Sequence, residues 1–281
     1  MIHEFIKIKT PDKTEINCLI KEVGSQNWLI ATHGVGEHLG RHDYLIKNFS
    51  QYYNICLYDL RGHGDSSGKS AYVEDFQDYY SDLDSILTHL KSTFALKNYQ
   101  LFGHSMGALI TAGFVQNRLH NKEQPSKVFL SAPPVAVAGI QGKIFQYSPL
   151  VLSKTLANLP ISIPLKGLVD LKNLSHDVRV YQNYINDEKN KLALHSRLLL
   201  QMVAESRNVF SRPLRVKGEL YVAYGSEDRI VNPHAIAEYF TNIEKNSSLC
   251  RVEGGFHELH NEIEKYRSVY FDFLKKSLLG H

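Results

Sequence analysis

The chain has 281 residues, 43% of them hydrophobic and 22% charged, with a formal net charge of +3. This length can bury a large core, and so mild and scattered a positive charge excludes a nucleic-acid-binding surface. No apolar run reaches the roughly 18 residues that would mark a membrane-spanning helix.

Read in chain order, residues 4–9 and 15–22 alternate as strands and form an opening hairpin, with Pro11-Asp12 as the turn. Met1 to Phe5 enters this alternation without a basic and then apolar leader, so no secretion signal is expected. Cys18, Cys56 and Cys250 are odd in number and read as buried thiols of a reducing compartment, which implies a cytoplasmic protein. Strands follow near 28–32, 54–58, 99–102, 127–131, 219–224 and 248–252. Alternation of such strands with helices predicts a mostly parallel sheet covered on both faces. Asp75 caps a helix on which Phe76, Tyr79, Tyr80, Leu83, Ile86, Leu87, Leu90 and Phe94 follow helical spacing, with acids opposite. A last helix runs from about Asn261 to Leu279, with Ile263, Tyr266, Val269, Tyr270, Phe273 and Leu274 on its apolar face.

Chemistry enters at Gly103-His104-Ser105-Met106-Gly107, which follows one apolar strand and opens a small-residue helix. That context is a nucleophile elbow: a tight strand-to-helix turn lifts the serine oxygen clear of the sheet and needs glycine where a Cβ would collide. A nucleophilic serine requires a base and an orienting acid, in the order Ser, Asp or Glu, His. Asp228, just past the strand at 219–224, is the expected acid, and His257, on the loop after the last strand, the expected base. Glu227 is the nearest rival to Asp228. His104 should point away from the serine oxygen and serve as a hydrogen-bonded structural group. The loop His33-Gly34-Val35-Gly36-Glu37-His38 stands where one backbone oxyanion donor is taken, and Met106 supplies the second. His33, His38, His42 and His63 lack the spacing and cysteine partners of a zinc site, so no metal and no cofactor is expected.

Residues 133–213 interrupt the regular alternation with some eighty residues between two core strands, a length that marks a functional insertion. The apolar pieces 144–152 and 159–165, broken by prolines, and a helix from Ser196 to Glu205 read as a cap over Ser105. Such a cap would bind an acyl chain and make transient contact with a membrane or micelle. The expected division is therefore a core of 1–132 and 214–281 with the cap at 133–213.

The motifs His33-Gly34-x-Gly36-Glu37-His38-x-x-Arg41, Asp59-x-Arg61-Gly62-His63-Gly64-x-Ser66-x-Gly68 and Gly103-His104-Ser105-Met106-Gly107 come in one order along the chain. With Gly225-Ser226-x-Asp228-x-Ile230-Val231 and Phe256-His257-Glu258-Leu259, they resemble the monoacylglycerol lipase and lysophospholipase branch of the α/β-hydrolases. The resemblance implies an α/β-hydrolase fold, with an eight-stranded mostly parallel sheet, helices on both faces and an inserted cap. It also implies Val35 and Met106 as the oxyanion donors. The chain departs from the family pattern at His42, where an aromatic residue is usual, and at Ala108, where a second glycine is usual. The expected activity is hydrolysis of lipid carboxylic esters, monoacylglycerols or lysophospholipids, through an acyl-enzyme formed on Ser105. A short-chain carboxylesterase, a thioesterase, a proline-type peptidase and a non-catalytic binding module are the alternatives on the same scaffold.

Overall fold

The computed structural model describes residues 2–119, 123–138, 162–167 and 169–280. Its first two strands, β1 (Ile2–Lys9) and β2 (Glu15–Glu22), pair antiparallel as the expected hairpin. After them come β3 (Asn27–Thr32), α1 (Asp43–Phe49), β4 (Asn54–Tyr58), α2 (Gln77–Phe94), β5 (Asn98–His104), α3 (Met106–Arg118) and β6 (Lys127–Ser131). The chain then passes through β7 (Pro164–Lys166), α4 (Val178–Asn186), β8 (Ala193–His195) and α5 (Ser196–Val209). It closes with β9 (Glu219–Gly225), α6 (Pro233–Asn242), β10 (Ser247–Val252) and α7 (Glu264–Leu279).

Eight strands form one sheet in the order β1-β2-β4-β3-β5-β6-β9-β10. β2 is antiparallel to β4, and every pairing from β4 onward is parallel. Parallel strands buried on both faces need continuous apolar runs, and β4 is buried at all five positions. One core cluster, on the face covered by α2 and α3, includes Trp28, Tyr79, Tyr80 and Phe114; the other, under α1 and α7, includes Phe49, Phe102, Phe129 and Tyr270. The parallel strands all end at one edge of the sheet, and the loops carrying Ser105, Asp228 and His257 leave from that edge.

Several expectations shift in detail. Asp75 does cap α2, its carboxylate taking the Gln77 N–H at 2.9 Å. One acid of that helix, Asp82, is buried rather than opposite the core, where it holds Arg61 through two hydrogen bonds of 2.7 and 2.6 Å. α7 starts at Glu264, after a 3-10 turn over Leu259–Asn261, and Ile263 and Val269 face solvent while Tyr270 and Leu274 are buried. Cys18 and Cys56 are buried, but Cys250 on β10 is only half-buried because that strand is the sheet edge. Of the region expected to form a cap, 144–152 and 159–161 lie outside the described residues. Within it, β7 and β8 pair as a small antiparallel ribbon, Lys166 opposite Ala193.

Candidate active site

Ser105 sits between β5 and α3 with φ +53° and ψ −121°, backbone that a residue bearing a Cβ adopts only under strain. Its N–H is held by the Ser131 carbonyl of the neighbouring strand at 2.9 Å. A Cβ at Gly103 would stand 2.4 Å from the Gly107 carbonyl oxygen, and one at Gly107 only 2.2 Å from that of Thr32. Both glycines are therefore set by backbone packed against backbone, which is the physical content of the five-residue motif.

The structure brings Asp228 and His257 to this serine. Asp228 leaves β9 and is buried; its Oδ1 takes the N–H groups of Ile230 and Val231 at 2.8 and 2.9 Å. Its other oxygen faces His257 Nδ1 at 2.7 Å, and His257 Nε2 faces Ser105 Oγ at 3.0 Å. The ionised carboxylate only accepts, so Nδ1 carries the ring proton and Nε2 accepts from the serine hydroxyl. Burial lowers the His257 pKa, but the charge and hydrogen bond of Asp228, aided by Glu258 and Glu37, outweigh it and leave the ring above its ordinary value. Gly225 lets the two loops meet, since a Cβ there would stand 2.1 Å from the Gly255 carbonyl oxygen. Glu227, the rival acid, is exposed.

The loop after β3 closes the site from the other side. Gly34 lies so close to Ser105 that an added Cβ would be 3.1 Å from the serine Cβ. The Gly34 N–H donates to Glu37 Oε1, and Glu37 also receives Arg41 Nε at 3.0 Å and His42 Nε2 at 3.1 Å. Arg41 donates from Nη2 to Glu258, the neighbour of His257, and lies over the Tyr184 ring. Burial alone would raise the Glu37 carboxyl; His42 and Arg41 outweigh it and hold the group well below the usual carboxylate range. Val35 lines the cavity beside Ser105, and Met106 is the first residue of α3 with its side chain buried.

The remaining histidines have local duties. His33 accepts the Leu60 N–H at Nε2 and faces the Gly34 carbonyl with Nδ1, and burial lowers its pKa to about 4. His63 faces the Arg61 carbonyl, with its pKa lowered to about 3 chiefly by burial, and His38 bonds Asp187 at 2.8 Å. His104 approaches Ser131 Oγ at 3.4 Å and belongs to a buried group of rings with His42, His257 and His260. Burial keeps His104 and His260 neutral, well below the ordinary imidazole value. Among the described residues no group of three or more His, Cys, Asp or Glu side chains is placed to hold a metal ion.

Ser105, His104 and His257 open into a cavity of about 490 Å³. Its opposite wall comes from residues 165–194, including Leu165, Leu174, Tyr181, Tyr184 and Leu194. Of the residues the sequence singles out, Ser105, Asp228 and His257 meet here with the glycine loop beside them, while Glu37, Arg41 and Glu258 stand in the quoted motifs without a role. His260 and Tyr184 are not singled out, and their only signals are tertiary.

Known proteins resemble the chain along most of its length. It is 25% identical over 84% of its length to phospholipase YtpA of Bacillus subtilis, spanning 90% of that protein. Rat monoglyceride lipase is 26% identical over 84% of the chain, which spans 76% of the rat protein. An uncharacterized abhydrolase domain-containing protein of Dictyostelium discoideum is 23% identical over 85% of the chain; there the chain spans only 25% of the relative. A soluble variant of Saccharomyces cerevisiae monoglyceride lipase, solved with a substrate analogue, superimposes with a TM-score of 0.79, covering 98% of this chain and 94% of that one at 17% identity. The family described as Hydrolase_4, serine aminopeptidase S33, matches residues 25–264. With its eight-stranded, mostly parallel sheet, the chain belongs to that family and is an α/β-hydrolase similar to the monoacylglycerol lipases.

Proposed function

We propose that the protein is a serine hydrolase that cleaves carboxylic esters of lipids, monoacylglycerols or lysophospholipids, through an acyl-enzyme intermediate. The observation that carries this reading is the unbroken hydrogen-bonded row from Asp228 through His257 to Ser105, at the wall of a cavity large enough for an acyl ester. The resemblance to a phospholipase and to monoglyceride lipases agrees with it.

In this reading Ser105 Oγ attacks the ester carbonyl while His257 Nε2 takes its proton, and Asp228 holds the imidazole in the required tautomer. The Val35 and Met106 amides receive the charge that develops on the carbonyl oxygen, each such donor lowering the barrier by about 3 kcal/mol. His257 then protonates the leaving alcohol and activates the water that releases the fatty acid. Residues 133–213 act as the cap, with Leu165, Leu174 and Leu194 against the acyl chain. No helix among the described residues is long and apolar enough to cross a membrane.

The test is hydrolysis of monoacylglycerols, lysophospholipids and p-nitrophenyl esters of increasing chain length, with fluorophosphonate labelling of the wild type and of Ser105→Ala. Turnover should fall on the order of 10⁶-fold in the variant, and the label should be lost with it. Labelling at another residue, or none, overturns the serine assignment. Cleavage of acetyl and butyryl esters alone overturns the lipid assignment and leaves a short-chain esterase.

A further inference from the structure

Glu262 is buried at the end of the 3-10 turn that follows His257, and its carboxylate gathers two separate parts of the chain. From the loop of the base it accepts the Phe256 N–H at 2.8 Å, and from its own turn the Ile263 N–H at 3.0 Å. From the far wall of the cavity it accepts His176, whose Nδ1 donates at 2.8 Å and whose backbone N–H donates at 3.2 Å. The His176 ring also stacks on that of Phe256, 3.7 Å from centroid to centroid, and the Arg229 guanidinium lies 5.2 Å from the same Phe256 ring. Arg229 follows the acid Asp228 and Phe256 precedes the base His257, so one stack joins the loops of acid and base to residue 176.

The other neighbour of His257 is held from the same place. The Glu258 N–H donates to the Leu174 carbonyl at 2.8 Å, and the Ser175 hydroxyl donates to the Asn261 carbonyl at 2.9 Å. Segment 174–176 therefore grips the backbone on either side of the base. It also belongs to the wall: Leu174 lines the cavity, and α4, with Asp177 as its N-cap, adds Tyr181, Tyr184 and Ile185. The base loop is built around Gly254, at φ +81°, and Gly255; glycine backbone has the widest choice of conformations, so the position of this loop depends on what holds it from outside.

We infer that His176 and Glu262 are positioning residues for His257: they couple the wall that meets the acyl chain to the base, so that filling the cavity with a long chain raises kcat rather than only lowering KM. This rests on the ester-hydrolase reading above and deepens it, naming how the same site tells long acyl chains from short ones. A chain packed against Leu174 and α4 restrains segment 174–176, and through Glu262 and the Leu174 carbonyl it restrains Phe256 and Glu258 on either side of the base. Binding energy from a part of the substrate remote from the reacting carbonyl is then used to orient the proton acceptor, which is the condition for a truncated substrate to lose turnover as well as affinity. A butyryl group brings fewer carbons to that wall and forgoes the restraint.

The experiment measures kcat and KM separately for 1-decanoylglycerol and 1-butyrylglycerol, both below their micelle concentrations, and follows the ratio of the two kcat values. In the wild type the ratio should be about tenfold, and His176→Ala should bring it towards one, the size expected for one hydrogen bond to a charged group. His176→Asn, whose amide nitrogen replaces Nδ1 as the donor to Glu262, should restore most of the ratio; an Asn variant that behaves as the Ala variant overturns that hydrogen bond as the link. Glu262→Gln should act as His176→Ala does, and should the buried substitution cost the fold, the partly exposed His176 carries the test. A lower melting temperature in His176→Ala with the kcat ratio unchanged is the mark of a merely structural pair and overturns the coupling. A wild-type ratio near one, with long chains favoured through KM alone, overturns it too and leaves the ester hydrolase standing. If 1-butyrylglycerol is cleaved and 1-decanoylglycerol is not, the lipid assignment is overturned and the coupling with it. If neither ester is cleaved and no fluorophosphonate label is taken, the ester-hydrolase reading itself is overturned.

Discussion

Arg41 and Glu258 lie 217 positions apart in the sequence and meet as a buried ion pair, guanidinium Nη2 on carboxylate Oε2. Because the same guanidinium also donates to Glu37, one side chain joins the loop that carries Val35 to the loop that carries His257. The two halves of the site are thereby fixed relative to each other before any substrate enters.

Glu37→Gln keeps the shape and removes the charge, so it tests whether this network positions the site. Turnover should fall about tenfold to a hundredfold, the range for loss of a hydrogen bond to a charged group. The acid limb of the pH profile should also move down, because Glu37 is one of the carboxylates that raise the His257 pKa. A lower melting temperature with an unmoved limb would reduce Glu37 to a part of the scaffold.

The wild-type pH profile follows from the same residue. His257 must be neutral to take the serine proton, and its pKa is raised above 6.5. The protonated, inactive form therefore persists to higher pH than for a free imidazole, and kcat/KM should rise with pH through a midpoint above 6.5. A steady-state profile with its midpoint at or below that value contradicts the geometry.

Asp228→Asn removes the charge that holds the His257 tautomer. Turnover should drop by about 10⁴, the cost known for the wrong tautomer in this kind of triad. Near-normal hydrolysis by the variant would leave Asp228 without the role its position suggests.

Stability depends on a second buried pair away from the chemistry. Burial pushes the Asp82 carboxyl up to about 6 even with Arg61 beside it, so the acid relies on that partner to stay charged. Arg61→Met should lower the free energy of unfolding by about 3 to 5 kcal/mol, because it strands a buried carboxylate. Adding Asp82→Leu should recover most of the loss, and urea titrations of the single and double variants measure both.

Much of this could be read from the chain alone, for local reasons. The strands at 15–22, 54–58 and 127–131 match the structure residue for residue, since each is a short apolar or alternating run bounded by turn signals. Ser105 was legible because the elbow is a local structure whose glycines are demanded within a few residues of it. The exposure of Ile263 and Val269 was not legible, because which stripe of a helix faces inward depends on what packs against it. The same holds for Asp82: helical periodicity places it on the helix, but only the arrival of Arg61 from a distant loop makes its burial tolerable.

The sequence by itself determined the order of the eight strands of the main sheet and the strained serine turn, because both depend on backbone preferences and spacing within short windows. Tertiary structure alone decided which acid faces His257 and how Arg41 spans two loops. These are contacts between segments brought together by the parallel sheet, and no local rule encodes the distance between residues that meet only when the strands are laid side by side.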